Sequence, residues 1–211
     1  MAIHTAGNTK SPNYRTHRIS RDLQIWLLEG RDYRSDNRSP SDSKKSIWGG
    51  PERKWLEETL QSSPAKWKII VSPTPLVGPD RAGKSDNHTN LNGFRSEAHS
   101  FFEWLTDKKI QNVLILCRDR HSQYHSIHPS GVEELCCGAL NDEDSISGID
   151  PGDPTSTDPQ ATIRQPYLYP NPTGGFLHVN QSSNPKGMSS LTFSFYDDTG
   201  KLLQQVVKES P

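Results

Sequence analysis

Gln111-Asn-Val-Leu-Ile-Leu-Cys117 is the stretch on which the fold turns. Its continuous apolar run, Val113 to Leu116, leaves no polar face for water, so it reads as a central strand buried on both sides. Upstream, Phe101, Phe102, Trp104 and Leu105 supply one apolar face and predict a helix near 95–108. Lys66 to Ser72 predicts a second strand, stopped by Pro73 and Pro75. Pro51, tolerated at a first helical position, opens a helix in which Trp55, Leu56, Thr59 and Leu60 recur at helical spacing. Residues 22–30 read as another strand, ended by Gly30, and the Arg-, Ser-, Asp- and Asn-rich 31–50 as a loop. This β-α-β-α-β order implies an α/β sheet whose function lies in the loops beyond the strand ends.

Beyond Gly138 the texture changes. Residues 138–175 are mostly Asp, Ser, Thr, Pro and Gly, too long for an ordinary connector and read as one long loop. The tail is β again, at 176–179, 191–196 and 201–207, with Asp197-Asp-Thr-Gly200 as a hairpin-type turn. Leu, Ile, Val and Phe supply 42 of 211 residues, about a fifth, which borders on disorder, but a net charge of −1 and five Trp argue for a folded chain. The balance of 24 basic and 25 acidic residues lacks the bias of a nucleic-acid binder. No apolar run is long enough for a membrane span, and Met1 to Asn13 hold no apolar leader, so the compartment stays open. Three cysteines, two of them adjacent (Cys136 and Cys137), make no disulfide framework.

Gly78-Pro-Asp-Arg-Ala-Gly-Lys-Ser85 fits the phosphate-binding P-loop pattern letter by letter. Its context does not fit: prolines separate Gly78 from the strand, Pro79 removes a donor, Asp80 adds negative charge, and no helix pattern follows Ser85. More informative is the exit from the apolar strand. Asp119 and His121 stand two apart there, so in extended geometry both side chains leave one face. Carboxylate and imidazole together suit Fe, Mn or Zn, and a carboxylate alone suits Ca²⁺ or Mg²⁺. The bland alternative is a turn cap and an ordinary hydrogen bond. Asp86, Asn87 and His88 form a second polar cluster in the other strand-exit loop, readable as an Asx-turn or as further ligands. Arg81, Arg118 and Arg120 lie in the same two loops and could fork onto a phosphate or simply solvate the surface. His125 joins His121 only if strand geometry persists.

Several separated strings, in order, resemble the alkaline phosphatase D (PhoD-like) metallophosphatases. They are Trp67-Lys-Ile-Ile-Val-Ser-Pro-Thr-Pro-Leu-Val-Gly-Pro-Asp-Arg81, Asp86-Asn-His88 and Asp119-Arg-His-Ser-Gln-Tyr-His-Ser-Ile-His-Pro-Ser-Gly131, with shorter matches at 14–18, 29–34, 134–140 and in the tail. The resemblance implies a calcineurin-like αββα sandwich, of which 1–211 is the carboxyl-terminal portion: an α/β part with the site loops (14–137), the long loop (138–175) and a β-hairpin tail (176–211). It implies metal-assisted hydrolysis of phosphate esters, with Ca and Fe foremost as the ions and Mn or Zn as alternatives. Asp119 and His121 then take catalytic and metal roles, Asp86, Asn87 and His88 further metal roles, and Arg81, Arg120 and His125 the substrate phosphate. Arg118 stands where the family has Gly, and Ser122 where it has an aromatic residue. The resemblance further implies that the family's earlier metal ligands lie in an amino-terminal half outside this portion and that full-length members are often exported. A non-catalytic binding module with a degraded metal site is the alternative. If the chain is half of such a sandwich, the face meant for the absent half is expected to lie bare.

Overall fold

The computed structural model describes residues 12–185 and 187–210. The reading of Met1–Asn13 as lacking a leader therefore falls, over 1–11, outside the described residues. Ten strands and two helices follow in the order β1 (Arg15–Arg18), β2 (Leu23–Leu27), α1 (Gly49–Ser62), β3 (Trp67–Ser72), α2 (Arg95–Asp107) and β4 (Val113–Cys117). After them come β5 (Gln123–Ile127), β6 (Glu133–Cys137), β7 (Arg164–Leu168), β8 (Gly175–Ser183), β9 (Ser189–Asp197) and β10 (Leu202–Glu209).

Seven strands form one sheet in the order β1-β2-β3-β4-β6-β5-β7, and three form a second, β10-β9-β8. The middle of the large sheet, β2, β3, β4 and β6, is parallel, and β1, β5 and β7 add antiparallel edges. Alternation along the strands sorts side chains into two cores. Trp26, Ile70, Ile115 and Cys136 face α1 and α2, packing on Leu56, Leu60, Phe101, Phe102 and Leu105. Leu23, Trp67, Ile69, Leu114 and Leu135 face the small sheet and meet Leu191, Phe193 and Phe195. The described residues thus make three layers, helices, large sheet and small sheet; the helical layer that would complete an αββα sandwich is absent among them.

The helices fall where the periodicity places them, and α1 begins two residues before Pro51. Four strands among the described residues escape the sequence reading, β1 at Arg15–Arg18 and then β5, β6 and β7. β5 lies in the supposed site loop, because Gln-Tyr-His-Ser-Ile alternates faces without an apolar stripe to announce it. β6 follows it as an antiparallel neighbour. β7 lies within 138–175, and its Pro166 is tolerated because β7 is an edge strand. Of the bare face expected for the absent half, only the small sheet carries exposed large apolar strand residues. Both faces of the large sheet are covered, and Phe176, Leu202 and Val207, the exposed large apolar residues of the strands, all lie on the small sheet.

Candidate functional site

The carboxyl ends of β3 and β4 open on the same edge, because the two strands run parallel in register, Ser72 opposite Cys117. The loop after β3 is held from inside. Glu134 of β6 is fully buried, and its carboxylate accepts hydrogen bonds from the backbone N–H of Leu76 (2.6 Å), Val77 (3.2 Å) and Gly78 (2.8 Å) and from the Tyr124 hydroxyl (2.8 Å). A Cβ on Gly78 would sit 2.4 Å from the Tyr124 ring, so only glycine fits there. The start of the P-loop-like motif thus does cradle an anion with its amides, but the anion is the chain's own Glu134. No helix begins at Lys84-Ser85.

A second buried carboxylate joins the two strand-exit loops. Asp80 Oδ1 lies 2.6 Å from Arg120 Nη1, and Asp80 Oδ2 accepts from the amides of Asn87 (3.0 Å) and Asn90 (3.1 Å). Burial pushes the Asp80 carboxyl up, but Arg120, these two amides and the Arg81 N–H outweigh it and hold the group below its ordinary value. Arg120 also donates to Thr89 Oγ1 (2.7 Å) and to the Gly78 carbonyl (3.2 Å). Thr157, from the long segment before β7, locks this loop: its hydroxyl oxygen accepts from the Asp80 N–H (3.0 Å) and its own N–H donates to the Asp80 carbonyl (2.7 Å).

Outside this buried network lies an open cavity of about 360 Å³ lined by Arg118, Asp119, Arg120, His121, Leu140 and Asp144 among others. Asp119 and His121 meet there, though not by the expected geometry. Asp119 has φ 74°, in the left-handed region that Asp tolerates better than most residues, so the chain turns instead of running on as a strand. Arg118, in the position where the resemblance expects Gly, carries no positive φ and is accommodated without strain. It is exposed and has no hydrogen bond or ion pair among the described residues. His121 Nδ1 lies 2.5 Å from the Asp144 carbonyl. A carbonyl can only accept, so Nδ1 carries a proton, and of the two neutral tautomers the contact selects the one with its lone pair on Nε2. Asp86 and Asp119 both favour the charge of Arg34, whose guanidinium is lowered from its ordinary value first by burial and then by Arg31.

The remaining expected residues sit elsewhere. Asn87 Oδ1 accepts from Thr89 N–H and Oγ1, so with its amide on Asp80 the side chain is engaged internally. His88 is buried against Trp48, with Nε2 2.8 Å from Glu97 Oε2 and Nδ1 3.4 Å from Thr74 Oγ1, which leaves no free ring nitrogen. Asp86 is half-buried and accepts from Arg34 through its backbone carbonyl (2.5 Å). Arg81 is exposed and pairs through its backbone with Ser156. The Arg120 guanidinium turns inward to Asp80, and is not offered to a ligand. His125 lies opposite Leu135 on the small-sheet side, 2.7 Å from Glu133, and so does not share the cavity. Among the described residues no group of three or more His, Cys, Asp and Glu could hold a metal ion. Asp119 and His121 are two donors on one cavity, and two donors do not by themselves fit a metal site.

Sequence reasoning missed Glu134 and Asp80 as the organisers of this edge. A charged pair, Glu133-Glu134, running straight into Leu-Cys-Cys was the available signal for a buried carboxylate.

A family model described as PhoD-like phosphatase matches residues 3–176. Among solved structures the chain is similar to one titled "Structure of PhoD", with a TM-score of 0.62 at 14% sequence identity. That match covers 92% of this chain and 44% of the other, so the chain spans less than half of that protein's length, and at this identity the likeness speaks for the fold alone. A comparison with curated proteins finds no match. By the extent of the family match over an α/β framework of the same kind, this chain belongs to the PhoD-like phosphatase family.

Proposed function

We propose that the chain forms part of a phosphoric ester hydrolase and binds the ester phosphate in the cavity of Arg118, Asp119 and His121. The observation that carries this reading is the meeting of an unpaired guanidinium, a carboxylate and a lone-pair imidazole nitrogen at the carboxyl edge of parallel strands, in a chain of this family. Arg118 would fork onto phosphate oxygens, where planar guanidinium geometry matches two acceptors at once. His121, with Nδ1 fixed by Asp144, would take or give the proton of the attacking water or leaving oxygen at Nε2. Asp119 would orient that water by accepting its second hydrogen. Arg120 positions both loops through Asp80 without touching substrate.

The family resemblance also implies a metal centre. Asp119 and His121 would be two of its ligands, completed by residues outside this chain, and the reading is supported by the 44% coverage of the PhoD structure. No step above depends on that ion. Hydrolysis of p-nitrophenyl phosphate and bis-p-nitrophenyl phosphate, with and without Ca²⁺, Mn²⁺ or Fe³⁺, tests the proposal. Turnover that falls about 10²–10⁴-fold in His121→Ala supports it; turnover unchanged by both Asp119→Ala and His121→Ala refutes it.

A further inference from the structure

A second cavity, of about 260 Å³, adjoins the first and is apolar: Val71, Leu116, Leu135, Leu140, Phe176 and Leu177 contribute to its wall. Arg118 and Leu140 line both. The apolar wall is built from the ends of both sheets. Val71, Leu116 and Leu135 come from β3, β4 and β6 on the small-sheet side, and Phe176 and Leu177 from the start of β8. Phe176 is fixed in place by stacking on Tyr196, with ring centroids 5.0 Å apart and planes at 15°. Gly175 allows this close approach, since a Cβ there would lie 2.0 Å from the Tyr196 carbonyl oxygen. Phe176 is nonetheless 46% exposed and Leu140, which lines both cavities, 65% exposed, so apolar surface lies bare beside the polar cavity. Large side chains left bare next to a polar cavity mark a place for a ligand with one charged and one apolar end.

We infer that the two cavities form one bipartite site, in which Arg118 holds the phosphoryl group and the slot between Leu140 and Phe176 takes an aromatic or branched apolar substituent of the ester. The inference rests on the proposed phosphate site and names its substrate class. The slot is large enough: an apolar cavity of roughly 150 Å³ suffices for benzene. Arg118 at the seam provides the register, because it lines both cavities together with Leu140 and a phosphate held there has the apolar slot next to it. A substrate with a small or strongly polar group on the ester oxygen would leave this slot wet and gain nothing from it.

Methylphosphonate and phenylphosphonate separate the two ideas, since neither is hydrolysed and only one carries the apolar end. In calorimetric titration of the 211-residue chain, phenylphosphonate is expected to bind about tenfold tighter than methylphosphonate. In Phe176→Ser, at a half-exposed position that lines only the apolar cavity, that ratio falls towards one while methylphosphonate affinity is kept, and in Leu140→Ser the ratio falls likewise. Equal affinities in the unaltered chain, or a ratio that survives both substitutions, would overturn the inference while leaving the phosphate site standing. Failure of methylphosphonate and phenylphosphonate alike to bind would overturn both.

Discussion

Asp80 Oδ1 stands 2.6 Å from Arg120 Nη1 in a nearly water-free setting, and this pair joins the loop after β3 to the loop after β4. The attraction offsets the cost of burying two charges only while both are present. Asp80→Ala or Arg120→Ala is therefore expected to destabilise the chain by about 3–5 kcal/mol, read from the denaturant midpoint. The double substitution is expected to cost less than the sum of the singles, because neither leaves the other charge stranded. Additive costs would show that the two loops are held by something else.

Glu134 gathers three backbone N–H groups and the Tyr124 hydroxyl on one carboxylate. Glu134→Gln keeps the shape but replaces one acceptor oxygen with a donor and removes the charge. A loss of about 2–4 kcal/mol is expected from charge-assisted bonds and newly unpaired donors. Amide hydrogen exchange at residues 76–78 should accelerate more than exchange in β9, whose core lies on the far side of the large sheet. Uniform acceleration would point to global loosening instead.

Buried Glu52 and half-buried His128 give stability a shape in pH. Burial raises the Glu52 carboxyl from 4.5 to about 8, so between those values the folded chain holds one more proton than the unfolded chain and stability falls as pH rises. Burial, with His99 and Arg95, lowers His128 from 6.5 to about 4, so over that window stability rises with pH. The two slopes oppose each other up to about 6.5, and above it Glu52 acts alone. Stability should decline by about 2 kcal/mol from pH 6.5 to 8. Glu52→Gln, which retains an acceptor for the Glu29 N–H (2.7 Å in the unaltered chain), should flatten that decline. A profile as steep in the variant as in the parent would assign the slope to another group. Below the ordinary carboxylate range, Asp80, Glu97 and Glu133, all held low by their partners against burial, lose their contribution as they protonate.

The central β-α-β-α-β framework was legible because its strands are apolar runs and its helices carry long-range periodic stripes. β5 and β7 were not, since Gln-Tyr-His-Ser-Ile and Arg-Gln-Pro-Tyr-Leu owe their strand form to neighbours, Cys136 opposite Tyr124 and Leu168 opposite it on the other side. Asp119 and His121, which line one cavity and carry the proposed site, were singled out from position alone, as residues leaving a central strand. His125 could not be placed, because a strand two residues later reverses the face that a loop would offer. Asp80 and Glu134 look unremarkable in one dimension. Their roles depend on Arg120, 40 residues along the chain from Asp80 by number, and on a loop more than 50 residues away from Glu134.

Phosphate should bind at Arg118 and not in the loop after β3. Inorganic phosphate titrated into the ¹⁵N-labelled chain, followed by amide chemical shifts, answers this without requiring turnover. The predicted result is a saturable set of shifts confined to residues 118–121 and 138–144, the walls of the Arg118 cavity, with affinity about tenfold weaker in Arg118→Ala. Shifts centred on residues 78–85, or none that saturate, would contradict it.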